Sequence, residues 1–237
     1  MGMTDSELYD FLNLAEDYML DGFRHDHPPL SSGSTVEAQR GSSTEAAPGS
    51  SRQQELEAIT REVAACTACA LHRGRRNTVA GEGVIDPLVM IIGEGPGAEE
   101  DRSGKPFVGK AGNYLDRWLA AIALDLRSNC FIGNIVKCRP PGNRDPLPEE
   151  SAACLPYLKR QIQILKPKTI LTLGRIATQI LCGRSEGIGR LRGQQLDYLG
   201  IPVVATYHPS AVLRNTDLRA AVWEDLKRLR ASLDLKP

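Results

Sequence analysis

The chain predicts an α/β fold: a three-layer α/β/α domain around a mainly parallel, four-stranded sheet. Short apolar runs at Leu88–Ile92, Cys130–Val136, Thr169–Leu173 and Val203–Tyr207 alternate with stretches of helical spacing. Such alternation builds parallel strands joined by crossover helices. Right-handed crossovers then bring the carboxyl ends of the strands to one edge. That edge collects Gly93-Glu94, Asn134, Gly174-Arg175 and Tyr207-His208, and in open parallel sheets it is where ligands bind.

Before the domain come two other stretches. Residues 5–23 place Leu8, Phe11, Leu12, Ala15, Met19 and Phe23 at spacings near three and four, with Asp5 suited to cap them. Residues 1–24 therefore read as an amphipathic helical extension. It can dock on the body or bind a protein partner, and its sequence does not choose. Residues 25–53 are rich in Ser, Gly and Pro and read as a disordered linker. The domain then occupies 54–237. It opens with a helix over Gln54–Cys66, with Leu56, Ile59 and Val63 on one face. Further helices read at Gly112–Leu124, Pro148–Leu165, Arg175–Leu181 and Asp217–Leu233.

Composition bounds the partners. No run approaches the ~20 apolar residues of a membrane helix. The acidic N-terminus lacks a basic n-region, so the chain reads as cytoplasmic. Net charge is zero, but residues 1–54 hold nine Asp/Glu against three Lys/Arg, which leaves the remainder at +6. A moderately basic body permits a polyanionic partner.

The stretch Ile91–Gly112, IIGEGPGAEEDRSGKPFVGKAG, carries the densest chemistry. Gly93 and Gly95 allow close backbone approaches that a Cβ would block. Glu94 sets a carboxylate at the end of a buried strand, and Phe107 adds an aromatic. Such a loop suits a flat ligand held over an acid. A solvent-facing turn fits the same residues equally well, and phosphate binding by Gly93–Gly97 is a weaker reading. Asn134 interrupts an apolar strand. Its carboxamide either reads the edge of a base or satisfies neighbouring backbone. His208 either donates to developing negative charge or serves as a structural histidine. Ser210 suits a phosphate or a helix cap. Val212, Leu213 and Arg214 read as apolar wedges beside a cation in an exposed loop, the requirements for entering a base stack.

Six cysteines in a cytoplasmic chain favour thiols or metal ligands over disulfides. Cys66 and Cys69 form C-x2-C, and Cys138 and Cys154 form C-x15-C. Four thiolates in two pairs fit a tetrahedral metal or an iron–sulfur cluster, and spacing alone does not separate the two. A structural role follows in either case, because four thiolates leave no open coordination position. Cys130 and Cys182 read as core residues.

Taken together, GEGPG (Gly93–Gly97), KPFVGKAG (Lys105–Gly112), GNIVKCRPPGNR (Gly133–Arg144) and HPSAVLR (His208–Arg214) resemble a family 4 uracil-DNA glycosylase of the uracil-DNA glycosylase superfamily. The resemblance covers Gln54 to the C-terminus. It implies a monomeric base-excision-repair enzyme that flips uracil out of single- or double-stranded DNA and hydrolyses its N-glycosidic bond. It also implies roles: Glu94 and His208 in catalysis, Phe107 stacking on uracil, Asn134 reading its O4/N3 edge. Cys66, Cys69, Cys138 and Cys154 would hold a [4Fe–4S] cluster. A related branch that traps its product covalently carries a His-containing basic insertion. Arg139–Glu150 has no His, so turnover is expected. The competing reading is a non-catalytic nucleic-acid binding module with a structural Fe–S or Zn site.

Overall fold

The computed structural model describes residues 48–233. In chain order it contains α1 (Pro48–Ala65), β1 (Glu82–Gly83), β2 (Val89–Gly93), α2 (Ala98–Ser103), α3 (Lys110–Ala121), β3 (Cys130–Asn134) and α4 (Pro148–Leu165). There follow β4 (Thr169–Leu173), α5 (Arg175–Cys182), α6 (Ile188–Leu191), β5 (Leu196–Tyr198), β6 (Ile201–Thr206), α7 (Pro209–Arg214) and α8 (Arg219–Ser232). The helix read over residues 5–23 and most of the linker lie outside the described residues.

All four strands anticipated from the sequence form, and they are parallel in the order β3-β2-β4-β6. Every residue of β2, β3 and β4 is buried. Burial on both faces explains why these strands are continuous apolar runs without alternation. The sheet is nevertheless six-stranded and mixed, not four-stranded. β1 pairs antiparallel with β3, and β5 pairs antiparallel with β6. Neither edge strand leaves a continuous apolar run. β1 is two exposed residues, one of them glycine, and β5 is three residues returning into β6 through a two-residue turn at Leu199-Gly200.

A second boundary also moves. α1 begins at Pro48, so residues 48–53, read as linker, are helical. Proline is tolerated in a first turn. Side-chain bonds four residues apart, Ser51 to Glu55 at 3.4 Å and Gln53 to Glu57 at 2.8 Å, support the early turns. The apolar face behaves as read. Ile59 and Val63 are buried against Tyr157 and Ile164 of α4, and Arg160 of α4 pairs with Glu62. α4 itself starts on Pro148, with the Glu150 carboxylate accepting the Leu147 N–H at 2.8 Å.

Candidate active site

The carboxyl ends of β2, β3, β4 and β6 open into one cleft of about 420 Å³, within the range of small-ligand sites. Glu94, Gly95, Phe107, Asn134, Gly174, Arg175, His208, Ser210 and Arg214 all line it. The edge assembled from sequence is therefore a physical site.

Gly93 lies in register with Asn134 across β2 and β3. A Cβ on Gly93 would sit 2.4 Å from Asn134 Oδ1 and 2.8 Å from Phe107 Cζ. Glycine there lets amide and ring close over the strand end. Phe107 has φ +51°, a left-handed conformation uncommon for a bulky residue. The loop is held by Glu100, which accepts the N–H groups of Gly97 at 3.0 Å, Val108 at 3.0 Å and Gly109 at 3.1 Å. Gly112 completes it, because a Cβ there would overlap the Phe107 carbonyl oxygen at 1.7 Å. Sequence reasoning missed Glu100. The available signal was its place three residues after Gly97, the N3 position of a capping box.

Asn134 is only 1% exposed, and its Oδ1 has no hydrogen-bond partner. Buried polar atoms are seldom left so. Of the two readings of this residue, backbone satisfaction of the side-chain oxygen is thus not what the fold provides. The peptide carbonyl of Asn134, in contrast, accepts from Lys137 Nζ at 3.0 Å.

His208 caps α7: its Nδ1 accepts the Ser210 N–H at 3.2 Å and lies 2.8 Å from Ser210 Oγ. An Nδ1 that accepts a backbone N–H leaves the ring proton on Nε2. Burial, with Arg214 acting in the same direction and Glu100 opposing, pushes the His208 pKa down to about 4. The imidazole is therefore neutral near pH 7, with its one ring proton on Nε2. The Phe107 and His208 rings lie 5.9 Å apart and tilted by 32°. Glu94 is moved the other way. Burial and the Asp145 carboxylate push its pKa up to about 7, with Arg175 opposing. Arg175 in turn pairs with Asp145.

The candidate DNA contacts divide. Ser210 and Arg214 line the cleft. Val212 does not belong with them: it is 1% exposed, inside a six-residue helix instead of an exposed loop. The His208 cap and Pro209 at the first helical position start α7 at once, and the helical turn rotates Val212 inward. Leu213 is half-buried on the same helix.

Away from the cleft, Cys66, Cys69, Cys138 and Cys154 line a second, small cavity with Tyr157, Arg75 and Lys137. All four are free thiols. The Lys137 N–H donates to Cys154 Sγ at 3.2 Å, and Arg75 donates to Cys138 Sγ at 3.2 Å. Arg75 also reaches the carbonyls of Cys66 at 2.8 Å and Ala64 at 2.9 Å. Among the described residues, no three or more His, Cys, Asp or Glu are grouped so as to hold a metal ion. Cys130 is buried in β3 and Cys182 packs against the core, both as expected.

The family model for the uracil DNA glycosylase superfamily matches residues 80–227. A Type-4 uracil-DNA glycosylase from Thermotoga maritima is 44% identical over 184 residues, covering 76% of this chain and 95% of its own. Type-4 enzymes from Saccharolobus solfataricus and Sulfurisphaera tokodaii are each 44% identical, over 77% and 74% of this chain and 88% and 83% of theirs. The matched region contains every strand and the whole cleft described above, and the chain belongs to the uracil-DNA glycosylase superfamily, alongside its Type-4 enzymes.

Proposed function

We propose that the cleft at the strand ends excises uracil from DNA by binding the extruded base between Phe107 and Asn134. The chain is a uracil-DNA glycosylase of DNA repair, which leaves the non-catalytic module without support. The observation that carries the site reading is the buried, unpartnered Asn134 Oδ1 beside the Phe107 ring. A base cannot be cut while stacked and must first be flipped out. Uracil then offers an N3–H donor to Oδ1 and an O4 acceptor to Nδ2. Cytosine presents an acceptor and an amino donor at the same positions, a double polar mismatch. Such mismatches discriminate far better than a methyl group does. Thymine is left to steric exclusion at its C5 methyl.

Breaking the N-glycosidic bond puts negative charge on the departing base and cationic character on the sugar. The neutral His208 ring donates from Nε2 to the base oxygen as charge grows there. Glu94, when ionised, stabilises the sugar or orients the attacking water. Ser210, Arg175 and Arg214 supply donors and positive charge along the cleft for DNA phosphates.

The donor set of the cysteine cavity fits a [4Fe–4S] cluster. A zinc ion needs four sulfurs at about 2.3 Å from one centre. A cluster bonds one cysteine per iron, so it accepts thiols that surround a cavity without converging on a point. N–H donors at the Cys138 and Cys154 sulfurs match thiolate surroundings. When bound, the cluster would supply a cross-link among the loops that carry Cys66–Cys69, Cys138 and Cys154. Under this reading the enzyme is a cytoplasmic monomer acting on uracil in single- or double-stranded DNA, with residues 1–24 available to a protein partner. Among the described residues no helix is long and apolar enough to cross a membrane.

The test uses cluster-loaded protein and end-labelled oligonucleotides holding U opposite G, U in single strand, T opposite G or an ordinary C. Strand breakage in alkali at U alone is expected. Asn134→Ala should cost about 10²-fold or more in kcat/KM on U. Wild-type U excision by Asn134→Ala would end this account of recognition.

A further inference from the structure

The side-chain ammonium of Lys137 has no part in the scheme above, yet the side chain is among the most deeply buried, 1% exposed. Its ammonium donates to two neutral amide oxygens, the Asn134 carbonyl at 3.0 Å and Gln161 Oε1 at 2.8 Å. Taking a lysine head group out of water is costly, and an apolar side chain of similar volume is often the more stable choice. Something other than stability is served by keeping it.

The neighbouring bonds indicate what. Lys137 is tied by its own backbone at both ends: its N–H donates to Cys154 Sγ at 3.2 Å, and its carbonyl accepts from Val79 at 2.8 Å. Gln161, its second acceptor, is anchored through Nε2 to the Ala80 carbonyl at 2.9 Å. Ammonium and acceptor are thus both fixed. At the other end lies Asn134, the last residue of β3. Its Oδ1 has no partner in the protein, so no side-chain bond through that oxygen steadies the amide. Its position rests on packing over Gly93 and on the peptide below it, and that peptide is the one Lys137 grips.

We propose that Lys137 is a positioning residue for base recognition: by holding the Asn134 carbonyl it sets the Asn134 carboxamide at the height and angle that uracil meets. This rests on the reading of Asn134 as the uracil reader. The backbone bond to Cys154 also makes Lys137 the link between the cysteine cavity and the recognition amide.

The experiment compares cluster-loaded Lys137→Met, Asn134→Ala and the double variant on single-U oligonucleotides, with free uracil as inhibitor. Lys137→Met should lower kcat/KM on U about 10- to 100-fold and weaken inhibition by free uracil in parallel. Iron content should stay level, and Tm should hold or rise. A residue that merely stabilises the fold would lower Tm and leave uracil inhibition of the folded fraction alone. Because Lys137 acts through Asn134, the double variant should be no worse than Asn134→Ala, whereas losses that multiply would overturn the inference. So would wild-type uracil inhibition in Lys137→Met. If that variant fails to fold, Gln161→Leu removes the second anchor of the ammonium. A several-fold loss of the same kind is expected there, and a wild-type profile counts against the inference. Full activity in Asn134→Ala would instead sink the recognition reading itself, and this inference with it.

Discussion

The cleft and the cysteine cavity are built on opposite terms. In the cavity, polar groups find partners: Arg75 makes three bonds, to Cys138 Sγ and to the carbonyls of Cys66 and Ala64. In the cleft they are left wanting. Burial shifts pKa values in both regions, Glu94 up to about 7 and His208 down to about 4 here and Lys137 down to about 8 beside the cavity. Of the two, however, only the cleft leaves a buried side-chain oxygen, Asn134 Oδ1, without a partner and holds a bulky residue, Phe107, at φ +51°. Satisfied groups stabilise, while unsatisfied and strained ones cost stability and persist where a ligand completes them. The difference separates what holds this enzyme together from what it does, and substitutions in the two regions should fail differently.

The largest effect is expected at His208. His208→Ala should lower kcat on U about 10²–10³-fold, the range found when one donor to a developing oxyanion is removed. The same change deletes the α7 cap, so it confounds chemistry with folding. His208→Asn separates them, because asparagine is a good N-cap and can still accept the Ser210 N–H. It should lose comparable activity while Tm stays near wild type. An active His208→Asn would show the ring to be a cap and little more.

On the other side of the comparison, Arg75→Ala removes three hydrogen bonds of about 0.5–1.5 kcal/mol net each. A loss of about 2 kcal/mol in unfolding free energy is expected, read from the denaturant midpoint of cluster-loaded protein. Activity on U should change less than about threefold, and the preference for U over C should not move. A changed preference would mean the two regions are not separable by function.

How much of this division is legible in the sequence depends on how local its cause is. β2, β3 and β4 were readable because two-sided burial writes a continuous apolar run, and β6 because its run is apolar although only half of its residues are buried. β1 and β5 were not, since a two- or three-residue edge strand is specified by its neighbour's ladder and not by its own side chains. The site residues at strand ends were readable because topology alone gathers them at one edge. Val212 was misread for a local reason: a tripeptide of apolar and basic residues looks the same in a loop and in a helix. Glu100 and Lys137 escaped because the partners that tie them to the site are backbone groups, Gly97, Val108 and Gly109 for one and the Asn134 carbonyl for the other. The second partner of Lys137, Gln161, lies 24 residues away. Backbone acceptors and donors have no letter of their own.

A smaller effect should appear with pH. If the Glu94 carboxylate takes part in the reaction, kcat/KM should fall about tenfold for each pH unit below a midpoint near 7. The His208 ring, with its pKa near 4, stays neutral across the range from 5 to 8. One limb is therefore expected there, rising with pH to a plateau. In Glu94→Gln that limb should vanish, leaving a low and flat profile. A limb that survives the substitution belongs to another group.

The smallest effect is also the most direct measure of the contrast. The folded-state pKa of Glu94 lies above the ordinary carboxylate value, so between about 4.5 and 7 the unfolded chain releases this proton while the folded protein retains it. Ionisation opposes folding, and stability is lost as pH rises through that window. Above pH 7 the whole loss is present; below about 4.5 none of it is. Glu94→Gln carries no charge at either pH. It should therefore melt at a higher temperature than wild type at pH 8 and at the same temperature near pH 4. Glu94 is only partly buried, so water screens much of the effect, and a gain of about 2 °C at pH 8 is the expected size. A variant that is slower at excision yet more stable is what a group held for chemistry against the interest of the fold must give. Equal melting at pH 8 would mean that Glu94 sits at ease in the free enzyme, and the cleft would then differ from the cysteine cavity in its ligands but not in its energetics.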